Sequence, residues 1–245
     1  MKRVAALILA MILILMCVPA FAEDVFDRFQ PYTDVDLSAF KSAGYTSSYD
    51  EFNFTAELYP ANSSITFEGT YDTYTIKFDL KLIYSAGECL VVPRMIFTRS
   101  GMLTYYDSSM DVVHIKNGEN RYQVDVSGCS RSSSSKSSTA TDSSVQPIRL
   151  KGLVMLKDLA DSSETITMIF NNYTLDIITL TDSDKAIIKS FYDTCLAAGV
   201  FDQDGLYDYT DNYYVITLFN EGSTGTEDVI SEEESEEETE PTDAE

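Results

Sequence analysis

Apolar and polar side chains alternate along "YTIKFDLKLIY". Tyr74, Ile76, Phe78, Leu80, Leu82 and Tyr84 fall on one face, and Thr75, Lys77, Asp79, Lys81 and Ile83 on the other. A period of two marks a strand buried on one side. "FNFTAEL" reads the same way, with Phe52, Phe54, Ala56 and Leu58 on its apolar face. "DVVHIKNGENRYQVDV" predicts a hairpin that reverses over Asn117-Gly118-Glu119-Asn120 and sets Val113 and Ile115 facing Tyr122, Val124 and Val126. "ECLVVPRMIFT", "PIRLKGLVML", "TITMIFN", "TLDIITL" and "NYYVITLF" add short apolar runs read as strands. Pro93 and Gly152 interrupt two of them, as at a bulge or a sheet edge.

One segment changes period. In "TDSDKAIIKSFYDTCLAAG", Ile187, Ile188, Phe191, Tyr192, Cys195 and Leu196 recur at helical spacing. Thr181 with Asp184 three residues on makes a start signal, and Gly199 a stop, for a helix over about 182–198. A shorter helix is expected within residues 34–44. Many short strands and one good C-terminal amphipathic helix predict a mainly β fold: an antiparallel β-sandwich with some α+β character.

Two segments lack this patterning. Residues 127–144, "SGCSRSSSSKSSTATDSS", hold no large apolar side chain and are expected to form a mobile loop inside the domain. Residues 221–245 hold 12 acidic and no basic residues, so a disordered, solvated tail is expected. The start, "MKRVAALILAMILILMCVPAFAED", reads as a secretory signal cleaved after Ala22. Its apolar run from Val4 to Val18 would span only about 22 Å as a helix, short of a bilayer core of about 30 Å. The expected organisation is therefore a signal at 1–22, a lead-in at 23–50, a β-sandwich domain at 51–220 and the acidic tail. Such a chain is secreted or at the cell surface, with no membrane span after cleavage.

Charge narrows the partners. The chain carries 17 Lys+Arg against 40 Asp+Glu, a net charge of −23. A field of that sign repels nucleic acid and anionic membrane surfaces. Composition also narrows the chemistry. His114 is the one histidine, so a multi-histidine zinc site is excluded; in the hairpin register it shares a face with Val112 and Lys116, as a surface residue. The 11 glycines form neither phosphate-binding fingerprint. Three cysteines follow the signal, an odd number; Cys89 and Cys129 are the candidate disulfide pair, with Cys195 on the apolar face of the helix.

Carboxylates are the remaining resource. "FDQDGLYDYTDNYY" offers Asp202, Asp204, Asp208 and Asp211 around Gly205, the candidate calcium ligands. With Gly205 at the sixth position of a calcium loop, however, Val200 stands first and Asp211 occupies the place of the bidentate Glu. Turn chemistry accounts for the stretch better, and no cofactor is expected. The sequons at Asn53, Asn62 and Asn172 are given no role, because the short signal has a bacterial character. The expected function is that of a non-enzymatic binding protein for a protein or glycan. A carboxylate-based glycan hydrolase and a structural or solubilising surface component are the alternatives.

Overall fold

The computed structural model describes residues 24–102, 110–134, 138–170 and 177–206, together with the backbone of 216–220. The fold is mainly β, and among the described residues every strand pairing is antiparallel. The first sheet is built on a long hairpin, β4 (Asp72–Ser85) and β5 (Glu88–Met102). Its reversal, Ala86-Gly87, places both residues at positive φ, the backbone of a tight hairpin turn. β1 (Thr46–Asp50) pairs with β2 (Thr55–Tyr59), and β2 and β3 (Ser64–Glu68) lie end to end along β4. On the far side, β9 (Thr139–Pro147) pairs with β5, and β8 (Ser130–Ser134) with β9.

The second sheet runs β11 (Ile178–Thr179), β10 (Ile166–Phe170), β6 (Val112–Asn117), β7 (Asn120–Asp125), β12 (Ile216–Asn220). The β6–β7 reversal falls where the sequence puts it, with Asn117 opposite Asn120, Val113 opposite Val124 and Ile115 opposite Tyr122. Around the sheets lie α1 (Val25–Phe29), α2 (Leu37–Ser42), α3 (Leu150–Ala160) and α4 (Asp182–Ala197).

The apolar face of β4 meets both partners. Phe78 packs on Phe191 of α4, ring centroids 5.1 Å apart, and Tyr74 packs on Phe170 of β10 at 4.8 Å. The lead-in joins the same core through Phe26, Phe29, Val35, Leu37 and Phe40. α4 has the expected capping box between Thr181 and Asp184, and Gly199 follows it at φ +77°. Pro93 sits where β5 has an open edge, because β9 reaches only as far as the Arg94–Pro147 pair. The missing N–H is harmless there, and the Pro93 carbonyl accepts from the Ile148 N–H at 2.7 Å.

Four expectations need correction. The Ser-rich stretch is not a loop over most of its length: it supplies β8 and most of β9. The backbone ladders on both sides of β9 carry it, and its inward polar side chains find partners, as Asp142 does in Arg131 at 2.8 Å. "PIRLKGLVML" is not a strand. With the residues that follow, it forms α3, whose buried Gly152, Met155, Leu156, Leu159 and Ala160 keep helical spacing. Phe52 and Phe54 stand outside β2 and face solvent, and Leu196 of α4 is exposed on the flank of its stripe.

The Cys89–Cys129 pair is the fourth. All three described thiols are free. Cys129 precedes Ser130, which pairs with Ser143 and through it with Thr98. Thr98 lies nine residues from Cys89 along β5, roughly 30 Å of strand and far beyond disulfide reach. Among the described residues no helix is long and apolar enough to cross a membrane.

Candidate functional site

The β1–β2 turn, residues 51–54, is fixed by its own polar side chains. Asp50 Oδ1 accepts from the N–H groups of Phe52 at 3.0 Å and Asn53 at 3.3 Å, and Oδ2 accepts from Asn53 Nδ2 at 2.7 Å. The Asn53 amide, followed by the Phe52 N–H, holds the Asp50 carboxyl below the usual carboxylate range. Phe54 then takes φ +51°, and its carbonyl accepts from the Tyr84 N–H at 3.4 Å. A bulky side chain at positive φ is an outlier that the neighbouring bonds must enforce.

This turn displays apolar surface. Phe52 is 94% exposed and Phe54 56%. Beside them Tyr84 meets Tyr32 edge to face at 4.8 Å, and Tyr32 is itself exposed. Asp50, Glu51 and Glu88, all exposed, stand at this same end of the sheet. Arg28 lies over the ring of Tyr49, the residue before Asp50, at 4.3 Å.

Further along the polar face of the first sheet, three strands share one guanidinium. Arg94 holds Asp79 through Nε at 2.7 Å and Nη2 at 2.6 Å, and reaches Glu57 Oε1 at 2.8 Å. Burial opposes the charge on Glu57, but the Tyr59 hydroxyl and Arg94 outweigh it and hold that carboxyl low. At Asp79 burial is the stronger influence and pushes the carboxyl up, against the pull of Arg94. Direct cross-strand pairing of Arg94 with Asp79 makes this a lock between β4 and β5.

An acidic groove of about 590 Å³ lies between the β6–β7 turn and the end of α3. Asp158, Asp161, Glu119 and Glu164 line it, and among the described residues no aromatic side chain does. Asp158 accepts from Asn117 Nδ2 at 2.8 Å, Asn120 Nδ2 at 3.1 Å and the Tyr122 hydroxyl at 2.5 Å. These three bonds take most of its acceptor positions in fastening α3 to the hairpin. The Tyr122 hydroxyl is pushed up by burial first and by Asp158 second, as suits a donor.

Of the candidate calcium ligands, Asp202 ends the 3-10 turn Val200–Asp202 and Asp204 precedes Gly205 at φ +78°; both are exposed. Asp208 and Asp211 lie outside the described residues, as do residues 1–22, Asn172 and residues 221–245. Among the described residues no group of three His, Cys, Asp or Glu side chains is placed to hold a metal ion. Between the two aspartates Gln203 turns inward to β5, and Phe201 and Leu206 are buried. His114 is half-buried between Gln123 and Ile169. Asn53 and Asn62 both lie on exposed turns.

Comparison with family models, curated proteins and solved structures gave no match.

Proposed function

We propose that this is an exported, non-catalytic binding protein, a β-sandwich that engages a protein or glycan outside the cell. The carrying observation is the display of Phe52 and Phe54 in solvent at the end of the first sheet, on a turn tied by Asp50. Exposed apolar side chains cost solubility, and a turn that holds them out in one conformation lowers the entropy lost on binding. The sandwich reading draws support from the contacts of Phe170 with Tyr74 and Phe97 across the two sheets.

Hydrolysis is the weaker reading. The groove has carboxylates, but it lacks an aromatic platform and Asp158 is tied into three hydrogen bonds. The test is binding of the chain from Glu23 onward, beside a Phe52→Ser/Phe54→Ser variant, to a glycan array and to labelled surface proteins of the producing cell. A ligand retained by the first and lost by the second is expected. Identical binding by both removes the turn as the site.

A further inference from the structure

We propose that the Phe52–Phe54 turn is an anchor for a partner protein that offers an apolar pocket rimmed by Lys and Arg. This rests on the binding reading above and specifies the chemistry of the partner. Phe52 has almost its whole side chain in water, and Asp50 fixes the turn through three hydrogen bonds. Anchors of this kind, an aromatic ring entering a desolvated pocket, dominate interface energetics. Burying the ring needs no rearrangement of the turn, because the Asp50 bonds and the Phe54–Tyr84 bond already set it.

The rim decides among occupants. Asp50, Glu51 and Glu88 stand around the aromatic end, and Arg28 is engaged over Tyr49. A second copy docking turn to turn would bring these carboxylates against their own counterparts. An anionic membrane would meet both this rim and a chain of net charge −23. Lysines and arginines around an apolar pocket complement it, and they also speed the encounter.

The sequence contains no tryptophan, so Phe52→Trp makes a single fluorescent reporter at the turn. The substitution lies on the surface and leaves the fold intact, which far-ultraviolet circular dichroism checks. The probe is a synthetic helix with a leucine stripe flanked by lysines, titrated at about 0.15 M salt, where charges beyond about 8 Å are screened. Two control helices replace its leucines by serine or its lysines by glutamate, and phosphatidylcholine vesicles test for a membrane.

The expected result is a blue shift of the indole emission of the Phe52→Trp variant with the leucine–lysine helix alone. Affinity should fall about tenfold or more in Phe52→Ser/Phe54→Ser, as loss of an anchor does. An unchanged emission while the helix still binds would mean attraction elsewhere on the acidic chain and would overturn the proposal. A shift with vesicles, or on raising the protein concentration alone, would overturn it too, assigning the turn to a membrane or to a second copy. An equal shift with the leucine–glutamate helix would overturn the basic rim and leave the binding reading standing.

Discussion

Gln203 closes its side-chain amide on the peptide group of Val91, 112 residues away. It accepts from the Val91 N–H at 2.8 Å and donates Nε2 to the Val91 carbonyl at 2.8 Å. The amide takes the place of a neighbouring strand where β9 stops short of the β5 edge. The same Nε2 donates to the Val200 carbonyl at 2.7 Å, so one side chain pins the segment after α4 to the first sheet.

Gln203→Ala should therefore destabilise well beyond an ordinary surface change. It leaves a part-buried N–H and carbonyl without their partners, about 2 kcal/mol in all. For a chain of this size, that lowers the melting temperature by about 4–8 °C. Gln203→Glu should lose nearly as much, because a carboxylate cannot donate to Val91. A thermal melt of Gln203→Ala within about 1 °C of the parent, well inside that shift, would show that water replaces the amide without cost.

The acidic stretch that contains Gln203 shows what could and could not be read along the chain. Its four aspartates and glycine draw the eye to metal chemistry, yet the residue that organises the described part is the glutamine, turned inward between Asp202 and Asp204. Long periodic segments were legible: β4, the β6–β7 hairpin and α4 follow from spacing, because each has one wet and one dry face. β9 was not, since pairing on both sides supports its backbone, and Asp142 is buried by virtue of Arg131 opposite it on β8 and of the Met110 N–H, a long-range partner. Phe52 and Phe54 matched an alternating pattern and still faced water. The local clue was Asp50 with Asn53, a turn-forming pair inside the apparent strand.

Arg94 and Asp79 should behave as a unit. Their side chains are 11% and 3% exposed, so Arg94→Met alone leaves a buried carboxylate uncompensated. The expected cost is about 3–5 kcal/mol, and Asp79→Leu/Arg94→Met should recover most of it. Urea denaturation of the two single variants and the double variant reads the coupling. Strictly additive losses would mean that the pair is not the lock that its geometry suggests.

The Asp50 turn should open in acid. Its carboxyl is held low in the folded chain, so the stabilisation is complete above the unfolded value of about 3.9. It is lost as pH falls through the lower folded value. Amide exchange at Phe52 and Asn53 should be slow and constant near neutral pH and accelerate, relative to intrinsic rates, only below about pH 4. Asp50→Asn should abolish that pH response. A transition near about pH 6, in the histidine range, would point to a different group.

The thiols should be present and sluggish. Burial pushes Cys89 up to about 12 and raises Cys195 as well, and Cys129 is raised by burial and by the nearby Asp142 charge. Thiolate is the reactive form, so a disulfide reagent at about pH 8 should label the native chain slowly. In denaturant, three thiols per chain from Glu23 onward should react at once. Only one reactive thiol under those conditions would establish a disulfide.

Phe54 sets stability against binding. At φ +51° a side chain beyond glycine carries a cost of about 1–2 kcal/mol. Glycine removes that cost but adds freedom to the unfolded chain, worth about 0.5–1 kcal/mol the other way. Phe54→Gly should therefore melt at the same temperature or up to a few degrees higher, although it deletes an aromatic side chain. Phe54→Ala keeps the Cβ and should show no such gain. If the phenyl ring is there for a partner, Phe54→Gly should also weaken the leucine–lysine helix several-fold while leaving the fold intact. A melting temperature several degrees lower in Phe54→Gly would show the ring to be a packing element, and the turn would then be held for the sake of the fold.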